Sequence, residues 1–250
     1  MSRPALLRST SYFFAAFGLA VAGVAVAVSA VPVEARVKAA QPGRPAADKA
    51  QDVNRKPGMM VRFAGIKRGD TVVEILPGEG YFTRVFSNAV GPRGKVYATE
   101  LRASEGAKAI AAEPGRTNIE AYAGKPGDIA PAGVANVVWT SRNYHDLKGP
   151  KAAAETADQV NKAAFAALKP GGYYIIIDHS AAAGSGLRDV DTLHRIDAEA
   201  VKAEVLAAGF VFAGQSPLLV NKADTRTLPV FDDAIKGRTD QFVLRFKKPG

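Results

Sequence analysis

Apolar residues along the chain fall into two spacings that alternate from residue 57 onward. "TVVEIL" at 71–76, "KVYATE" at 95–100, "TNIEAYA" at 117–123, "ANVVWTS" at 135–141 and "YYIIIDH" at 173–179 are short runs rich in β-branched and aromatic residues. Each predicts a strand, and the last is apolar enough to be buried on both faces. Between them the apolar positions fall three or four apart. "YFTRVFSNAVG" places Phe82, Val85, Phe86 and Ala89 on one helical face with Gly91 as its stop. "PGMMVRFAGIKRGD" opens on Pro57 and closes at Gly65, "SEGAKAIAAE" has Ser104 as a candidate cap, and "KAAAETADQVNKAAFAALK" ends at Lys169-Pro170-Gly171-Gly172. "DAEAVKAEVLAAGF" has Asp197 as its cap and Gly209 as its end. "FVFAGQS" and "DQFVLRF" close the chain as two strands with no helix between them. Strands alternating with helices predict an α/β domain over residues 55–248, with a mostly parallel seven-stranded sheet covered on both faces.

The front of the chain follows neither spacing. Arg3 and Arg8 precede an apolar stretch from Tyr12 to Val33, and Val28-Ser29-Ala30 has the small-x-small form of a signal-peptidase site. Residues 1–30 therefore predict a signal peptide, or an uncleaved membrane anchor, since the run is long enough to span a bilayer. Either places the domain outside the cytoplasm, periplasmic or exported. Residues 31–54, rich in Ala and Pro, are expected as a flexible linker.

Composition changes this picture little. The net charge is +9, but Lys and Arg stand singly or in pairs without interleaved aromatics, so a basic solvated surface is expected and nucleic-acid binding is not. The absence of cysteine excludes disulfides, thiolate metal sites and a Cys nucleophile.

The chemistry is concentrated in "VVEILPGEGYFTRVF", residues 72–86. Gly78 and Gly80 form a turn between a strand and a helix, which lets backbone approach a ligand with helix N–H groups aimed at it. Glu74 lies inside the strand end, and Glu100 stands at the end of the next strand, where a carboxylate can accept both hydroxyls of a ribose. The spacing G-x-G-x-x-G is absent, which argues against an NAD-linked oxidoreductase.

The pattern apolar-apolar-Glu-apolar-x-x-Gly-x-Gly resembles motif I of class I S-adenosylmethionine-dependent methyltransferases. "ALKPGGYYIIID" resembles their helix–turn–fifth-strand motif, and the closing strand pair resembles the C-terminal antiparallel hairpin of their Rossmann-like fold. "TSRNYHDL", "IIIDHSAAAGSG" and "TLHRID" are similar to bacterial exported proteins described as predicted methyltransferases. The resemblance implies that Glu74, Gly78 and Gly80 surround the methionine part of S-adenosylmethionine and that Glu100 holds its ribose. Leu76 departs from the pattern by replacing the first glycine of motif I. Lys125 falls where an adenine-binding Asp often stands, with Asp128 as the substitute.

The three histidines, His145, His179 and His194, all fall on loops expected at one rim of the sheet. Methyl transfer to oxygen or nitrogen benefits from a base of near-neutral pKa, which His145 or His179 can supply with Asp146 or Asp178 fixing the ring. A metal site is the rival reading, because His and Asp ligands suit Zn²⁺ or Fe²⁺, although no tight spacing such as H-x-x-x-H is present. Ser180 and Ser185 lack the elbow of a hydrolase nucleophile. Asn143 and Tyr144 are candidates to orient cofactor or substrate, against a plain role in turn and packing. Trp139 reads as core, and Arg195 with Asp197 as a helix-start pair. The expected function is methyl transfer from S-adenosylmethionine to a small-molecule acceptor. The alternatives are a non-catalytic periplasmic binding protein that keeps the pocket, and a metal-dependent enzyme using the three histidines.

Overall fold

The computed structural model describes Met1, residues 43–102 and residues 105–250. The segment read as a signal peptide or anchor and the Ser104 cap lie outside the described residues. Elements run in the order α1 (Ala46–Ala50), α2 (Asp52–Arg55), α3 (Pro57–Ala64), β1 (Thr71–Ile75), α4 (Tyr81–Val90), β2 (Lys95–Glu100), α5 (Gly106–Ala111), β3 (Ile119–Ala123), β4 (Ala135–Ser141), α6 (Thr156–Ala167), β5 (Leu168–His179), α7 (Ala198–Ala207), β6 (Val211–Gln215) and β7 (Gln241–Lys247). Short 3₁₀ turns at His145–Leu147 and Pro217–Leu219 lie after β4 and β6.

The seven strands form one sheet in the order β3-β2-β1-β4-β5-β7-β6. β1 to β5 are parallel, and β7 runs antiparallel to both β5 and β6. The alternation of side chains along a strand divides the core in two. Val73, Ile75, Tyr174 and Ile176 face one cluster with α6 and α7. Val72, Ile175 and Ile177 face the other with α3, α4 and α5. On that second face Phe82 and Phe86 meet the Trp139 ring edge-on at centroid distances of 4.7 and 5.0 Å. Each such buried ring removes enough apolar surface to stabilise the fold by about 1.5–3 kcal/mol. Trp139 is core, as its place in an apolar strand predicts.

Two expectations are corrected. Of the residues 31–54 expected as a linker, those from 46 on are not one: with Arg55 they carry α1 and α2, held on α4 by polar contacts. Arg44 pairs with Asp52 at 2.7 Å, Arg84 with Asp48 at 3.2 Å, and the Tyr81 hydroxyl donates to Asp52 at 2.7 Å. Ion pairs leave no hydrophobic period, so this segment reads as loop in the sequence. The long helix also ends earlier than its pattern suggests: Leu168 is already extended, and β5 begins there rather than at Tyr173.

Candidate active site

Glu74 occupies the last turn of strand before the glycine loop. Its carboxylate is buried and accepts from the Thr83 hydroxyl at 2.6 Å, one turn into α4. Burial pushes its pKa up to about 8, against the Thr83 hydrogen bond and the Arg55 charge. Leu76 then adopts a left-handed backbone with φ 54°, the conformation the missing first glycine would take freely. Its carbonyl accepts from the Asn143 side-chain amide at 2.9 Å, and Asn143 in turn accepts from the Thr140 hydroxyl. Asn143 thus ties the loop after β4 to the glycine loop.

Gly78 and Gly80 both have positive φ, 56° and 78°. A Cβ at Gly80 would meet Ile110 at 2.5 Å, whereas one at Gly78 would meet nothing within 4 Å. Gly80 is therefore required by packing of α4 against α5, and Gly78 leaves an open stretch of backbone. α4 has no side-chain cap, so its first N–H groups have no side-chain partner from the cap residue. Glu100 lines a small cavity of about 120 Å³ with Tyr122 and Ala123, at the carboxyl ends of β2 and β3. The Tyr122 hydroxyl donates to the Asp128 carboxylate at 2.8 Å on the flank of that cavity. These groups meet the demands of a nucleoside-bearing cofactor: open backbone, uncapped helix N–H groups and a carboxylate beside a cavity. A larger cavity, about 330 Å³ between Arg68, Asn88 and Thr117, lies at the opposite, amino-terminal edge of the strands.

The second half of the site sits at the ends of β4 and β5. Asp178, fully buried, accepts from the backbone N–H groups of His145 and His179, both at 2.8 Å, and from His145 Nδ1 at 2.9 Å. A carboxylate only accepts, so Nδ1 carries the proton and Nε2 presents its lone pair in the neutral ring. Burial works against charge on both groups, but their mutual attraction outweighs it: the His145 pKa is raised and that of Asp178 lowered. His179 behaves differently. Its Nδ1 lies 2.6 Å from the Thr239 hydroxyl, and burial, helped by Arg142, pulls it down to about 3, so it stays neutral. The three rings gather, with centroids of His179 and His194 at 6.0 and 5.5 Å from that of His145.

Tyr144 does not join them. It is fully buried, packs in the α6–α7 core, donates to Glu204 at 2.9 Å and accepts from Asn161 at 2.8 Å. Adjacent residues entering a turn point opposite ways, and the apolar ring takes the core. Nor do Arg195 and Asp197 pair: Asp197 caps α7 through the Glu199 N–H, while Arg195, fully buried, binds Asp224 at 2.9 Å. Two residues the sequence did not single out enter the site. Arg55 reaches from α2 to the Ser141 hydroxyl at 3.4 Å, lying over the Tyr81 ring at 4.1 Å, and Arg142 follows Ser141 with φ 64°. Burial, then the Arg142 charge, works against the Arg55 cation, yet a guanidinium keeps its proton and both stay positive. The only signal for Arg142 was its place just past a strand end.

No family model and no curated protein matches the chain. Among solved structures it is similar to a SAM-dependent methyltransferase from Aquifex aeolicus, at 18% identity, TM-score 0.59, with 88% of this chain and 100% of that one covered. It is similar to a glycopeptide N-methyltransferase in complex with sinefungin, at 17% identity and TM-score 0.55, covering 79% and 87%. The cyclase SpnF is a further neighbour, at 14% identity and TM-score 0.59, covering 80% and 82%. Likeness at these identities establishes the fold: the chain has the Rossmann-like class I methyltransferase fold, with the antiparallel hairpin expected at its end. A cyclase among the neighbours shows that this fold serves more than one reaction, so the reaction must be argued from the site.

Proposed function

We propose that the protein is an S-adenosylmethionine-dependent methyltransferase acting on a small-molecule acceptor, exported or tethered to the membrane by its N-terminal segment. The observation that carries the reading is the glycine turn at Gly78–Gly80, open on the side of Gly78, feeding an uncapped helix with Glu100 one strand away. The bound cofactor supplies an electrophilic methyl group. Open backbone at Gly78 and the N–H groups of α4 hold its amino-acid end, with Glu74 behind them. Glu100 takes the ribose hydroxyls. Asn143 fixes the loop after β4 against the cofactor loop through the Leu76 carbonyl.

The acceptor lies over the ends of β4 and β5. Of the two candidate bases the geometry favours His145, because Asp178 orients its ring and stabilises its cation. His179 is committed to Thr239 and held neutral. Export rests on Arg3, Arg8 and the apolar run that follows them; among the described residues no helix is long and apolar enough to cross a membrane.

Calorimetric titration with S-adenosylmethionine, S-adenosylhomocysteine and NAD tests the reading. The first two are expected to bind and NAD not to. Glu100→Ala should weaken S-adenosylhomocysteine by roughly ten- to a hundredfold, the worth of a charged hydrogen-bonding group. Tight NAD binding, or Glu100→Ala with unchanged affinity, refutes it.

A further inference from the structure

We propose that His145, Asp146 and His194 form a binding site for one divalent transition-metal ion of the Zn²⁺ type. One ligand atom from each residue lies within 4.8 Å of the other two. His145 Nε2 is 3.5 Å from an Asp146 carboxylate oxygen, and the His194 ring stands at 85° to that of His145. An ion with bonds of about 2.0–2.2 Å draws such a set together by small side-chain turns. Two imidazoles and one carboxylate on one side of an ion leave its other positions open, which is the arrangement of catalytic rather than structural sites.

Three features support an ion here. First, His145 gives its other nitrogen to Asp178 at 2.9 Å. A carboxylate on the far nitrogen is the usual support of a metal-bound histidine, since it fixes the ring and makes Nε2 a better donor. Second, the Asp178 and Asp146 carboxylates flank one imidazole, set against the Arg142 charge that acts on Asp178, and this net negative balance favours a cation. Third, His194 is held at φ 53°, uncommon for a residue with a side chain, and its ring centroid lies 5.5 Å from that of His145. The Asp146 side chain is 54% exposed, so the ion can enter from solvent and meet an acceptor there.

The site carries a consequence for the proposed reaction, and this part rests on the methyltransferase reading. The Nε2 lone pair holds a proton or an ion, never both. With the ion bound, His145 is a ligand, and lowering the pKa of an acceptor hydroxyl falls to the ion instead of the ring.

The test uses Co²⁺ alone, added to the chelator-treated full chain without cofactor and followed by its visible absorption, with Zn²⁺ as competitor. One equivalent is expected to bind and to be displaced by Zn²⁺. His194→Ala and Asp146→Asn should each weaken binding by about tenfold or more, judged from the effect of lesser changes around metal ligands. Circular dichroism checks that each variant is folded; Asp146 is exposed, so Asp146→Asn keeps the test open should His194→Ala misfold. Absence of a stoichiometric Co²⁺ signal, or unchanged binding in Asp146→Asn, overturns the proposal. Titrating the same preparations with S-adenosylhomocysteine reads the cofactor pocket separately, so loss of metal binding and loss of cofactor binding are distinguishable.

Discussion

On the β1–β2 side, the carboxyl edge of the sheet is made mainly of backbone: two glycines with positive φ, an uncapped helix start and a carboxylate on the rim. On the β4–β5 side it is made of buried ionisable side chains locked to each other: Asp178 to His145, His179 to Thr239. The first arrangement lets a ligand supply the missing hydrogen bonds, and its cost is confined to turns. The second stores interaction energy within the folded protein itself, because a fully buried carboxylate must be compensated by its own neighbours. The contrast is between an edge that leaves backbone groups open and an edge whose charges are already satisfied within the protein.

The sharpest way to break that contrast is His145→Ala. It leaves Asp178 buried with only backbone partners, and should cost about 3 kcal/mol or more in urea unfolding. Turnover of an identified acceptor should fall about 10²–10⁴-fold while S-adenosylhomocysteine affinity stays near wild type. A stability change below about 1 kcal/mol would mean that the pair is surface-like and the two halves do not differ as described.

Glu74 is the exception on the backbone-built side and tests whether that half is free of buried charge. Its pKa of about 8 lies above the ordinary carboxylate value, with Thr83, Arg55, Glu100 and Arg84 as its neighbours. A raised carboxylate pKa means that the folded protein holds the proton more tightly than the unfolded chain. Its contribution is therefore fully present below the ordinary carboxylate pKa, about 4.5, and is lost as pH rises through 8. Relative to Glu74→Gln, wild-type stability should decline across that window by on the order of 1 kcal/mol per pH unit at most, and the difference should level off above it. A pH-independent difference between the two proteins counts against a neutral buried Glu74.

The smallest effects distinguish the two glycines. Gly80→Ala combines a left-handed backbone with a clash against Ile110 and should destabilise by about 2–3 kcal/mol. Gly78→Ala meets open space and should cost only about 1 kcal/mol, yet weaken S-adenosylhomocysteine binding, because its Cβ enters the ligand's side of the loop. Equal stability losses with equal affinities would mean that both glycines serve packing alone.

The sequence by itself determined the seven strands and the helices from residue 57 onward, their order along the chain and the glycine turn between β1 and α4, because those depend on local period and on turn chemistry within a few residues. Glu74, Gly78, Gly80 and Glu100 lie within one strand–helix–strand unit, so spacing alone groups them. Asp197 as the cap of α7 and Trp139 as core followed from equally local rules. Only the tertiary structure decided the rest. The lateral order that inserts β7 between β5 and β6 is not written in any window of sequence. Folding of residues 46–55 onto α4 rests on ion pairs without period. Rotation at the turn after β4 sends Tyr144 to the core and His145 to Asp178, a choice made by which surface is apolar. The gathering of His145, Asp146 and His194 needs two loops from different strands to meet at one rim, so its ligand spacing exists in space and not along the chain.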